Sequence, residues 1–98
     1  MVQISKFKWI EFEWDESNIS ELDRHSIAAS QAEECFYNEH EVFKNKKKPG
    51  RRYLTYKLNG KTDSGRKLLL IFFVKEKIRV QSSLGAVALI RIITGWEV

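Results

Sequence analysis

Residues 67–75 read KLLLIFFVK, and residues 86–96 read AVALIRIITGW. Each carries apolar side chains at both odd and even positions, so an extended strand made from it buries both of its faces. That pattern belongs to the central strands of a sheet. The longest run, Leu68 to Val74, has a strand's length, ends against Lys67 and Lys75, and is too short to cross a bilayer. The rest of the chain must therefore supply the cover. With 98 residues, 43% of them hydrophobic, a single domain spanning 1–98 with a small core is expected.

The covering elements can be read in order. FKWIEFEW (7–14) alternates apolar and polar residues with a phase slip at Ile10-Glu11, which predicts a short strand with a bulge or an extended arm. DESNISELDRH predicts a short helix capped by Asp15, with Ile19 and Leu22 inward and an end near His25. SQAEECFYN predicts a second helix that turns Ala29, Ala32, Cys35 and Phe36 inward and Glu33 and Glu34 to water, stopping at Asn38. From Glu41 the period changes to 2. EVFKNK reads as a strand, KKKPGRR as a turn around Pro49-Gly50, and RRYLTYKL as an alternating strand with Tyr53, Thr55 and Lys57 on one side. IRVQSSLGA is a loop or a strand extension. Helices first and strands after give an α+β fold: an antiparallel sheet of about four strands with two helices on one face.

Charge is segregated along the chain. From Glu11 to Glu41 there are ten acidic residues and one basic; from Lys44 to Lys67 there are ten basic and one acidic. Such polarity predicts either two faces with different partners or a folded contact between the segments. A cationic surface in the cytoplasm points to nucleic acid. One cysteine, Cys35, excludes an intrachain disulfide and fits a reducing compartment, and MVQISKFKW lacks the apolar stretch of a secretion signal. A cytoplasmic protein without membrane contact is expected. Cys and His spacing gives no metal signature, and no cofactor is expected.

Four features could carry chemistry. The hairpin loop NGKTDSGR (59–66) combines a turn with Lys61 and Arg66; glycines at 60 and 65 permit positive φ and a phosphate-binding backbone, though a plain solvated hairpin would look similar. The run Lys44 to Arg52 holds six cations in nine residues, among them Lys46, Lys47, Lys48 and Arg51, next to Phe43 and Tyr53. It could track an RNA backbone while a ring stacks on a base, or simply keep an edge strand soluble. Arg91 lies among apolar neighbours and must either pair with a carboxylate or open into a cleft. His25 closes the first helix, where the dipole favours it regardless of any catalytic role.

These pieces, in this order, resemble the BrnT-type toxins of bacterial type II toxin–antitoxin systems. Trp14, Asn18, His25 and Ile27 hold a W-x3-N…H-x-I pattern. QAEECFYN is similar to the family's second helix, the span NKKKPGRRYLTYKLNGKTDSGRKLLLIFF to its central hairpin, and IRIIT to its final strand. The resemblance implies a RelE-like fold and a metal-independent endoribonuclease that inhibits translation. It also implies a small ribbon-helix-helix antitoxin, through which alone operator DNA would be bound. The family's basic and histidine positions fall on His25, Arg52, Arg66 and Arg91. The expected site is a groove in which those arginines stabilise a cleaving phosphate and His25 acts as base or acid. Lys57 or Lys61 would hold the backbone, and Tyr53 or Tyr56 would stack on a base. A non-catalytic nucleic-acid-binding module of the same fold is the alternative. One departure stands out: relatives often place a cation where this chain has Trp96, which implies weaker cleavage or stacking in place of charge.

Overall fold

The computed structural model describes residues 9–45, 54–79 and 86–98. In chain order the elements are β1 (Trp9–Phe12), α1 (Glu16–Asp23), α2 (Ala29–Tyr37), β2 (His40–Lys44), β3 (Tyr56–Lys61), β4 (Lys67–Arg79) and β5 (Ala86–Glu97). They form one five-stranded sheet in the order β1-β5-β4-β3-β2. The α+β class and the two helices agree with the pattern in the sequence. The sheet does not: it has five strands, not four, and it is mixed, because β1 runs parallel to β5 while all other pairs are antiparallel. The alternating segment near the N-terminus is thus a true edge strand rather than a free arm.

β4 and β5 are the central pair, as their two-sided apolar sequences require. Two irregularities interrupt their ladder. At the first, Thr94 pairs with Ile71 and Ile92 with Phe72, so Ile93 is the extra residue; at the second, Lys75 is extra between Val74 and Glu76. Bulges of this sort bend a strand and re-aim side chains. One re-aimed side chain is Lys75, which reaches Glu13.

The helices cover one face, α1 against β5 and α2 against β3 and β4. Between them and the sheet lie Leu22, Ile27, Ala32, Cys35, Phe36, Val42, Leu58, Leu68, Leu70, Phe72, Ala88, Ile90 and Ile92. A chain of rings runs through this core. Phe36 meets Phe12 edge-on at 5.1 Å and Phe72 edge-on at 5.0 Å, and Phe72 stacks on Tyr56 at 5.5 Å. Aromatic contacts of this geometry add to what burial alone contributes.

β1 covers β5 only as far as Ile90. Past that point Glu13 N–H donates to the Ile90 carbonyl at 2.9 Å, and the chain then turns at Asp15 into α1. Asp15 caps the helix, as expected from sequence: its carboxylate accepts from Asn18 N–H at 3.2 Å. Asn18 reciprocates, since its Oδ1 accepts from Asp15 N–H at 2.8 Å. Its Nδ2 donates both to Glu13 O at 2.9 Å and to Ile92 O at 3.1 Å. This one amide ties α1 to the stretch of β5 that β1 leaves open. Consequently the inward face of α1 is Asn18 and Leu22, an i, i+4 pair, whereas Ile19, expected inside, is 45% exposed. Glu33 and Glu34 also differ from expectation. Glu33 accepts from Trp14 Nε1 at 2.6 Å and Glu34 from Asp63 N–H at 2.9 Å, so both hold other segments rather than facing free water.

Candidate nucleic-acid interface

The sheet's second face carries no helix among the described residues. Register arranges it in rows. Glu41, Asn59, Leu69 and Trp96 lie abreast across four strands, Phe43, Lys57, Ile71 and Thr94 form the next row, and Phe73 lies opposite Arg91. Lys61 and Lys67 are direct partners at one end. Leu69, Ile71 and Phe73 make an apolar floor, on which Phe43 and Trp96 stand 42% and 41% exposed. Lys57, Lys61 and Lys67 are all exposed, and none has an ion pair or side-chain hydrogen bond among the described residues. Two like charges directly across a ladder are destabilising. The cavity at that end is lined by Lys61, Lys67 and Asn59 together with Glu39 and Glu41, yet neither carboxylate is in ion-pair contact with the lysines. An anion laid across these strands would relieve that repulsion.

Arg91 shares the same face by register but is already engaged. Its fork takes Asp15 bidentately, at 2.9 Å to Oδ2 and 3.1 Å to Oδ1, and reaches Glu13 Oε1 at 3.1 Å; Lys75 Nζ holds the other Glu13 oxygen at 2.6 Å. The Lys75 hydrogen bond, assisted by Arg91, lowers the Glu13 pKa, and the Arg91 hydrogen bond, with the Asn18 N–H, lowers that of Asp15. Arg91 in turn is pushed further up, first by Asp15. Its side chain is only 19% exposed, so pairing is what burial demands.

Beside this network a cleft is lined by Ser17, Asn18, Glu21, Arg91, Ile93 and Thr94. Glu21 accepts the Thr94 hydroxyl at 2.9 Å, which lowers its pKa, and lies 3.3 Å from His25 Nε2. Arg91 and Glu21 therefore share one cleft, and His25 stands behind Glu21.

Arg66 is elsewhere. Its guanidinium pairs with Glu97, donates to the Ser26 carbonyl at 2.7 Å and to Gln31 Oε1 at 3.1 Å. It fastens the start of β4 to the connection between the helices. Glu97 lies six residues beyond Arg91 along β5, about 20 Å at strand rise. A single groove lined by Arg66 and Arg91 is thus not formed, because each guanidinium is saturated locally by its own carboxylate. The hairpin loop is likewise closed to anions. Thr62 N–H donates to Arg66 O, Gly65 N–H to Thr62 O and Arg66 N–H to the Thr62 hydroxyl, while Asp63 N–H is taken by Glu34. Gly65 has φ +90 as expected, but Gly60 does not have positive φ; it is required because a Cβ there would come within 2.9 Å of Cys35. Tyr56, expected as a stacking residue, is partly buried and packs on the core residue Phe72.

Of the remaining sequence candidates, Lys57 and Lys61 lie on the open face. Lys46, Lys47, Lys48, Arg51, Arg52 and Tyr53 fall outside the described residues. Sequence reading missed Lys67 and underused Trp96 on this face, and it missed the Glu13–Asp15 clamp on Arg91. The period-2 alternation from Lys57 to Lys61 was the available signal for the first, since a tight turn sets Lys67 opposite Lys61. Among the described residues no three His, Cys, Asp or Glu side chains cluster as metal ligands, and no helix is long and apolar enough to cross a membrane. Compared with known protein families and with curated proteins, the chain matches none.

Proposed function

We propose that the protein is the toxin of a toxin–antitoxin pair and that it acts on RNA held against the open face of its sheet. The observation that carries this reading is the set of three exposed lysines, Lys57, Lys61 and Lys67, without an ion-pair partner among the described residues, around an apolar floor with exposed rings. Cations supply the phosphate contacts and rings accept base faces, a combination suited to a single strand. A ribbon-helix-helix antitoxin, as the resemblance implies, would neutralise the protein by covering the same cations with an acidic segment.

Strand scission is the second half of the reading, and the α1–β5 cleft favours it. A 2′-oxygen attacks the adjacent phosphorus as a base takes its proton, the P–O5′ bond breaks, and an acid protonates the departing oxygen. Arg91, in this cleft, is the cation for the phosphorane, and His25, which lies 3.3 Å from the cleft residue Glu21, is the proton carrier. Arg66 has no part in the step. The test measures RNA binding and cleavage by the purified protein with chelator present. A Lys57→Ala, Lys61→Ala, Lys67→Ala variant should lower the slope of log affinity against log salt by about 2, from three lost single-strand contacts. Arg91→Ala and His25→Ala should abolish cutting while leaving most of the binding. An unchanged salt slope in the triple variant removes the face; binding without cleavage in the parent protein leaves a non-catalytic binding module.

A further inference from the structure

We infer that Trp96 is a base-stacking platform that makes the open face selective for unpaired RNA. The inference rests on the RNA reading above and narrows its substrate class. Trp96 lies opposite Leu69 on the open face and is 41% exposed. It makes no hydrogen bond and no ring contact with any described residue, in contrast to Trp14, which is tied to Glu33. Trp96 stands on the stretch of β5 beyond Ile90 that β1 leaves open, and it is not one of the core residues. Lys67 stands two residues along β4 from Leu69, so it is the diagonal neighbour of Trp96. Diagonal residues on one face are about 7–8 Å apart, within reach for long and aromatic side chains. A cation and a free ring at that spacing match the phosphate and the base of one nucleotide.

Phe43 is the second exposed ring. It lies in the adjoining row and three strands away, about 16 Å from Trp96 by strand spacing and rise. One base cannot bridge that distance, so a strand touching both must pass over Lys57 between them. A duplex could not satisfy this arrangement. Between its end pairs the bases are stacked on one another and recessed, leaving no ring face for an indole, whereas splayed bases stack readily on aromatic side chains.

The experiment uses the full chain, a fluorescently labelled unpaired RNA and a blunt RNA duplex of equal length, with binding measured across a salt series. The parent should prefer the unpaired strand, and its tryptophan emission should be quenched on binding. Trp96→Ala should weaken the unpaired strand by about tenfold, as the loss of one base–ring stack predicts, and leave the duplex unchanged. Trp96→Phe should keep part of the preference and lose most of the quenching. Trp96→Lys should tighten the duplex yet lose the preference. If the parent binds RNA with a steep salt slope but Trp96→Ala retains both affinity and preference, the stacking inference is overturned while the RNA reading stands. If neither RNA binds, both fail together.

Discussion

Asn18 offers the most direct check on why α1 sits where it does. Its side chain is 2% exposed and makes three hydrogen bonds to backbone groups: two donations, to Glu13 O and Ile92 O, and one acceptance, from Asp15 N–H. Asn18→Leu keeps the branching of the side chain and removes all three. Each such bond has a net worth of about 0.5–1.5 kcal/mol, and a buried group left unpaired costs at least as much. A loss of roughly 3 kcal/mol follows, a large part of the 5–10 kcal/mol expected for a domain of this size. At about 4–8 °C per kcal/mol, the melting temperature should fall by roughly 15 °C. Asn18→Asp separates geometry from chemistry. It keeps the shape and the acceptor for Asp15 N–H but turns a negative oxygen toward two carbonyls, so it should be at least as damaging as leucine. Urea unfolding followed by far-UV circular dichroism measures both, with an unchanged m-value expected. A loss under about 1 kcal/mol in both variants would refute the view that this amide, rather than apolar contact at Leu22, holds α1 against β5.

Two further outcomes follow from the charged and buried groups. Asp15 and Glu13 have native pKa values below their ordinary values of 3.8 and 4.5, so their contribution is fully present above that range and is lost as pH falls from about 4.5 toward the lowered native values. Acid unfolding monitored by circular dichroism should show this destabilisation, and Arg91→Ala should flatten it by removing a cause shared by both carboxylates. Cys35 is wholly buried and its thiol is pushed up to about 11, chiefly by burial. Alkylation by iodoacetamide at pH 8 should therefore be very slow in the native protein and become fast in denaturant; rapid labelling without denaturant would contradict the closed α2–β3 contact.

The fold was legible where periodicity speaks for itself. Asp15 as cap, Ala32, Cys35 and Phe36 inward, and β4 and β5 as the central pair all follow from spacing. The fifth strand was half legible: FKWIEFEW alternates, but nothing local says that it pairs parallel to a segment almost eighty residues later. Ile19 was misplaced because apolarity was weighed above hydrogen bonding. The helix turns an amide inward, since an open strand edge needs donors more than it needs another aliphatic group. The candidate site was legible in its alternation, in Lys57 and Lys61, but not in its pairings. Whether an arginine faces a ligand or a carboxylate depends on residues distant in the chain: Arg91 meets Asp15 across 76 positions and Arg66 meets Glu97 across 31. Composition made a cluster of cations plausible, while tertiary structure assigned a carboxylate to each of these two.

That assignment separates binding from cutting. Among the described residues the open-face lysines have no ion-pair or hydrogen-bond partner to give up, so a phosphate there gains its contacts without breaking any of these. A phosphate in the α1–β5 cleft must take the Arg91 fork from Asp15, which also caps α1, and from Glu13, which also holds Lys75. Exchanging one anion for another at the same guanidinium changes little in Coulomb energy, but it takes from Asp15 and Glu13 a cation that lowers both of their pKa values. On the reading proposed above, the open face would set how tightly RNA is held, and the cleft how often a held strand reaches the reactive arrangement. On this physical ground the lysine variants should act on affinity and the Arg91 and His25 variants on turnover, and the two sets should combine additively because they share no partner.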